Sequence, residues 1–178
     1  CPPTPQAPTS EQMRAGLREA RDRGMLWRLE KDGQVGWLYG TLHVGKLGWA
    51  FPGPRVLAAL LQAQTLALEL DLGDPAFGQA MQSALAGWRE RQAAHPLPAD
   101  LLARVAALAR AECLAGAGFD QLPALMQGLT LVAASGRRDG LDPGFAQEFI
   151  LSGFAKAARK PVVALESAGQ QLAAMAPD

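Results

Sequence analysis

The chain has 178 residues, 49% of them hydrophobic, enough to bury one ordinary core without metals or a dense disulfide framework. Lys and Arg number 17, Asp and Glu 17, and neither sign gathers into a block, which argues against nucleic acid and anionic membrane surfaces as partners. No stretch approaches the roughly twenty consecutive apolar residues of a transmembrane segment.

Cys1 stands where a methionine is expected and is followed by the Pro- and Thr-rich stretch Pro2 to Ser10. This composition suits a flexible leader over residues 1–10, ahead of a domain over 11–178. The expected location is therefore exported, periplasmic or outer-membrane lipid-anchored through Cys1, the plain alternative being an arbitrary chain boundary. Cys113 is the only other cysteine, so a Cys1–Cys113 bridge is compatible with the count.

The first element is a short amphipathic helix over Glu11 to Arg23, with Met13, Leu17 and Ala20 on one face. Met25 to Lys31 and Gln34 to Val44, separated by Asp32-Gly33, predict a β-hairpin, because Asp-Gly supplies the positive φ angles of a tight turn. Gly45 to Pro54 reads as an ordered loop carrying Trp49 and Phe51. Pro54 opens a helix to about Gln64 and the strand Thr65 to Leu70 follows, a strand–helix–strand unit for which parallel pairing is expected. Helices are expected at Pro75 to Arg91 after Asp74, at Asp100 to Cys113, at Pro123 to Ser135 and at Gly144 to Arg159. Val162 to Leu165 is a short buried-type strand, and Ser167 with Gln170 forms a capping box for a last helix ending near Met175. The expected fold class is α/β: a hairpin, a β-α-β unit and a helical middle segment on a small mixed sheet.

Side-chain alternation in the second hairpin strand puts Tyr39, Thr41 and His43 on one face, with His43 at the C-terminal end. In the next strand Leu66, Leu68 and Leu70 face one way and Glu69 the other; Glu166 ends the third strand in the same manner. If these strands are parallel neighbours, one imidazole and two carboxylates emerge along a single sheet edge, where ligand sites of open α/β sheets lie. Such donors can hold a divalent ion, which lowers the pKa of its water toward neutrality. Each member also has a structural reading. His43 can bond a loop carbonyl, Glu69 can be paired or solvated at a strand end, and Glu166 suits the N-terminus of the helix it precedes. His95 reads as a surface loop histidine and Asp71 as a turn former, while Trp37, Trp49 and Phe51 either line a groove or pack. There is no zinc-finger spacing, no Gly-x-Ser-x-Gly elbow and no phosphate-cradling loop.

Leu26-Trp27-Arg28-Leu29 before the Asp-Gly turn, and then Leu38-Tyr39-Gly40-Thr41-Leu42-His43-Val44, resemble the opening of TraB/PrgY/GumN (Tiki-like) proteins, marked by a Gly-x-x-His motif that Gly40 and His43 match. Leu68-Glu69-Leu70-Asp71, Gly140-Leu141-Asp142-Pro143 and Lys160-Pro161-Val162-Val163-Ala164-Leu165-Glu166-Ser167 before Gln171-Leu172 are similar to the family's later segments. The resemblance runs from Leu26 to Leu172 and implies a metal-dependent hydrolase, since the Tiki branch is described as metal-dependent peptidases. It further implies a divalent ion (Mn, Co or Zn) on His43 and Glu69, with Gly40 and Thr41 as cofactor-contacting positions. His43, Glu69 and Glu166 are the implied catalytic set, and a peptide or protein the implied substrate.

The family carries a second Gly-x-x-His in a C-terminal half, and here Gly40 to His43 is the only copy. The chain therefore reads as the N-terminal half of a larger family domain, in which a metal site needing two such histidines does not close. The expectation is a fragment inactive by itself, with a sheet edge that a second copy can cover as a homo-oligomer. The competing expectation is a non-catalytic module that binds a peptide or an envelope protein through the Gly45 to Pro54 loop.

Overall fold

The computed structural model describes residues 1–3, 6–71, 73–116 and 118–175. Helix α1 (Ser10–Glu19) opens on a reciprocal box: the Thr9 hydroxyl accepts from the Gln12 amide and the Gln12 side chain from the Thr9 amide. Two donors that the helix cannot satisfy itself are thereby paired. Strands β1 (Leu26–Lys31) and β2 (Gln34–Tyr39) form an antiparallel hairpin in which Leu26 opposes Tyr39 and Lys31 opposes Gln34. Its turn residues Asp32 and Gly33 both have positive φ, 50° and 74°, the conformation whose twist suits a two-residue hairpin loop.

A short helix α2 (Leu47–Ala50) interrupts the loop after the hairpin, and α3 (Pro54–Gln62) follows with proline in its first turn. Then come β3 (Leu66–Leu68), α4 (Pro75–Ala94) with Asp74 capping the Ala76 amide, α5 (Ala99–Ala111) and α6 (Ala124–Ser135). Helix α7 (Gln147–Ala157), β4 (Val162–Ala164) and α8 (Ala168–Ala174) complete the described order, α8 opening on the Ser167–Gln170 capping box. The fold is mixed α/β, with a hairpin, a parallel pair and a helical middle segment.

Two expectations about strands need correction. Strand β2 ends at Tyr39, not Val44: Gly40 still donates to the Met25 carbonyl, but Leu42 turns away to bond Gln147, so Thr41 and His43 lie beyond the ladder. Among the described residues β1 and β2 form one two-stranded sheet, and β3 and β4 another, so β3 does not pair with β2. The Leu66 amide donates instead to the Pro161 carbonyl at 3.0 Å, on the edge that β4 extends.

The chain divides into two compact units. The first comprises Thr4–Leu68 and Asp139–Val163. Its core joins Val56, Leu60 and Leu151, flanked by Leu26, Tyr39, Leu66 and Phe154. Phe51 is also buried, and its ring packs so closely on Gly16 that a Cβ there would fall 2.0 Å from it. The Asp22 carboxylate accepts from the Arg55 amide at 2.9 Å and the Val56 amide at 3.4 Å, capping α3 from a distant segment.

Lys160 closes two helices at once. Arg159 takes the left-handed conformation (φ 54°) after α7, and the Lys160 amide then reaches back to the Ala155 carbonyl at 2.8 Å, a Schellman ending. The Lys160 ammonium meanwhile donates to the carbonyls of Leu60 and Leu61, each at 2.8 Å, and of Ala63, at the C-terminal end of α3. A cation at that negative dipole end, saturating orphan carbonyls, gives the Lys-Pro-Val segment a physical role in anchoring α3.

The second unit comprises Cys1–Pro3, Glu69–Arg138 and Ala164–Asp178. Helix α4 packs on α8 and α5 on α6, with Trp88, Phe119, Ala134 and Leu172 buried. Cys113 sits in the left-handed conformation (φ 56°) after α5, and its sulfur is bonded to Cys1, with the two Cα atoms 5.4 Å apart. Of the stretch expected to be a flexible leader, Cys1 is thus tethered, Pro2 is buried and Thr9 caps α1; residues 4 and 5 lie outside the described ones. Among the described residues no helix is long and apolar enough to cross a membrane.

Candidate functional site

The first unit holds the turn that carries His43. Leu42 is tied twice to the first residue of α7: its carbonyl accepts from the Gln147 amide at 3.1 Å, and its amide donates to the Gln147 side-chain oxygen at 3.0 Å. The same Gln147 amide group donates to the Trp49 carbonyl at 2.8 Å, which explains why a polar residue is 3% exposed. Three residues after Leu42, Gly45 and Asp142 exchange backbone bonds at 3.2 and 2.8 Å. A Cβ on Gly45 would stand 3.3 Å from the Phe145 carbonyl, so glycine suits this close approach. His43 therefore projects from a turn fastened on both sides.

Glu148, the second residue of α7, lies beneath that turn. The Thr41 hydroxyl donates to its Oε1, and His43 Nδ1 stands 3.0 Å from the same oxygen. The Glu148 side chain is 13% exposed and the His43 side chain 67%, so a partly buried carboxylate stands behind a mostly exposed ring. The other oxygen, Oε2, is buried with no hydrogen-bond partner. Tyr39, at the end of β2, donates its hydroxyl to the Arg23 carbonyl at 3.0 Å. Burial raises the Tyr39 pKa above the usual phenol value; a Gln147 hydrogen bond opposes the shift, and the nearby Asp22 and Glu148 charges add to it. Arg23 and Lys46 both stand over the Trp49 ring, 5.8 and 5.4 Å from its centre.

Glu69 and Glu166 belong to the second unit, where the Glu166 amide donates to the Glu69 carbonyl at 3.0 Å just beyond β3 and β4. Both side chains are exposed. The neighbouring cavity, about 300 Å³, is lined by Leu70, Asp71, Phe77, Leu165, Glu166 and Ser167, among others. Asp71 forms a turn by accepting from the Gly73 amide at 2.9 Å, and His95 is the exposed residue ending α4, as read from the sequence.

The structure thus brings His43 together with Thr41 and Glu148, and Glu69 together with Glu166 through the backbone. Gln147 and Glu148 escaped sequence reasoning. A Gln-Glu pair opening an amphipathic helix carries no signal beyond the ordinary preference for a carboxylate near the positive dipole end. Gly40 continues the hairpin bonding to Met25, and Phe51 lies in the core and lines no groove. Among the described residues no group of three or more His, Cys, Asp or Glu is gathered as a metal cage.

The fold and this turn define a mixed α/β protein that presents a carboxylate-backed histidine directly after a hairpin. The sequence model of the TraB/PrgY/gumN family matches residues 25–178, and the chain belongs to that family. No curated protein and no solved structure matches the chain.

Proposed function

We propose that this chain belongs to an exported hydrolase of peptide bonds with His43 as its central imidazole. The observation that carries the reading is the geometry of the Gly-x-x-His turn: a mostly exposed ring on a turn fastened on both sides by Gln147 and Asp142, with a partly buried carboxylate 3.0 Å from its Nδ1. That arrangement suits a group that must bind or take a proton in a fixed orientation, which a solvated surface histidine does not need. Glu69 and Glu166 are the acid–base candidates of the second unit.

The cofactor implied by the family resemblance is a divalent ion, Mn, Co or Zn, which would polarise a carbonyl or activate water. The described residues supply one imidazole beside a carboxylate and not a full ligand set. The test is cleavage of a peptide library by the natural full-length protein with added Mn²⁺ or Co²⁺, against His43→Ala. The variant is expected to lose at least about a hundredfold in rate; equal rates would remove His43 from the mechanism.

The Cys1–Cys113 bond supports export, because such bonds persist in oxidising compartments. A sulfur so bonded cannot also carry a thioether lipid, so bridge and anchor are alternatives for Cys1; intact mass with and without reductant distinguishes them. The sequestration reading keeps Trp49 but loses Phe51 to the core. The hairpin edges carry no further strand among the described residues, and self-association through them is tested by sizing in solution.

A further inference from the structure

We infer that the open edge of β1 is the seat of a symmetric dimer, in which a second copy of this chain adds its own β1 antiparallel, with Arg28 opposite the second copy's Glu30 and Glu30 opposite its Arg28. The inference concerns assembly and stands apart from the hydrolase reading; it gives self-association through the hairpin one edge and one register.

Strand β1 is the open side of the hairpin. From Trp27 to Lys31 each of its residues is exposed, whereas β2 has Gly36, Trp37 and Tyr39 half-buried. The ladder fixes which backbone groups point outward. Gly40 donates to the Met25 carbonyl at 3.0 Å, and this pair continues the register in which Leu26 opposes Tyr39. Bonded and unbonded pairs alternate along an antiparallel ladder, so Trp27, Leu29 and Lys31 turn their amides and carbonyls to β2, and Arg28 and Glu30 turn theirs away. Among the described residues no other segment bonds to the backbone of Arg28 or Glu30. The pairing also runs unbroken from Leu26 to Lys31, without the bulge or proline that commonly blunts an edge.

A second copy is the occupant these side chains fit. A two-fold axis lays an edge antiparallel against itself, and each bonded pair must join two outward-facing residues, which leaves few registers. One sets Arg28 against Arg28 and another Glu30 against Glu30, so like charges meet in both. The register between them sets Arg28 against Glu30 on both sides of the axis, each bonded pair exchanging two backbone bonds. The Arg28 Nη1 and Glu30 Oε2 atoms already stand 2.5 Å apart, their side chains 57% and 56% exposed, and the second copy extends this pair into a row of alternating sign. On the opposite face the same register puts Leu29 against Leu29 and Trp27 beside Lys31. Leu29 is 55% exposed and Trp27 45%, with Leu38 opposite Trp27 in the hairpin at 57%, so pairing covers apolar surface that one copy leaves in water.

Sedimentation of the 178-residue chain from about 1 μM to about 1 mM reads the dimer, and wild type is expected to pass from monomer to dimer within that span. Arg28→Glu alone and Glu30→Arg alone should each weaken dimerisation at least about tenfold, because like charges then meet on both sides of the axis. An equal mixture of the two variants should recover it, since each supplies the charge the other lacks, and a chain carrying both exchanges should dimerise as wild type does. Far-UV circular dichroism confirms that each variant folds. Leu29→Cys reports the register: residues at an unbonded pair have Cα atoms about 4.5 Å apart, within disulfide reach, so oxidised glutathione should yield a dimer that reductant dissolves. A chain that is monomeric throughout, a dimer indifferent to either charge reversal, a mixture no more associated than its components, or no cross-link through Leu29→Cys would overturn the inference. None of these outcomes touches the comparison of peptide cleavage by wild type and His43→Ala, which tests the hydrolase reading by itself.

Discussion

Replacing Lys160 by methionine keeps most of the aliphatic stem and deletes only the ammonium that ends α3. Three carbonyls lose a charged donor: Leu60 and Ala63, both partly buried, and Leu61, which is exposed. Water replaces the ammonium at Leu61 at little cost, so two bonds count. A net worth of about 1.5–3 kcal/mol for each hydrogen bond to a charged group gives about 3–6 kcal/mol. Removing the need to desolvate the ammonium, together with the more apolar methionine, returns part of this, leaving a loss of about 2–3 kcal/mol. In a chain of 178 residues that corresponds to a fall in Tm of roughly 5–10 °C. Urea denaturation followed by far-UV circular dichroism gives the free energy, with Lys31→Met on the exposed hairpin as control, expected within about 0.5 kcal/mol of wild type. A loss for Lys160→Met no larger than that of the control would refute the claim that this ammonium anchors α3.

Two further outcomes follow from the same unit. Arg159→Gly should stabilise the protein by about 0.5–1 kcal/mol, because its φ of 54° after α7 strains a side chain that glycine lacks; the same denaturation series reads it, and a loss would show that Arg159 holds something else. Tyr39 keeps its proton more tightly when folded than when unfolded, chiefly through burial. Its contribution is fully present below the unfolded phenol value near 10 and is lost as pH rises through the higher folded value. Stability measured from pH 9 upward should therefore fall more steeply in wild type than in Tyr39→Phe, and parallel curves would contradict the assignment.

What could be read in advance was chemistry carried by adjacent residues. Asp32-Gly33 can hardly be anything but a tight turn between two apolar runs, and Asp74-Pro75 and Ser167 with Gln170 fix helix starts because their bonds close within three residues. His43 stood out because its Gly-x-x-His setting is unusual. The acid beside it lies 105 residues later, and nothing in Gln147-Glu148 distinguishes a partly buried carboxylate from a solvated helix start until the chain has folded. Of the three strands expected as parallel neighbours, β3 and β4 do pair, whereas β2 pairs with β1 alone among the described residues. Which strands pair depends on contacts between segments about a hundred residues apart, such as the Leu66 amide and the Pro161 carbonyl, and no local pattern reports these. Glu69 and Glu166 were legible as strand-end carboxylates because alternation alone places them, and the structure sets them just past β3 and β4.

Joining Cys1 to Cys113 turns the first 113 residues into a covalent ring, closed across a separation of 112 positions. A single peptide-bond cut inside the ring leaves one molecule until a reductant opens it, whereas a cut beyond Cys113 frees a separate piece. His43 lies on the ring and Glu148 on the open remainder, so after a nick between Cys113 and Gln147 only non-covalent packing would keep imidazole and acid in register.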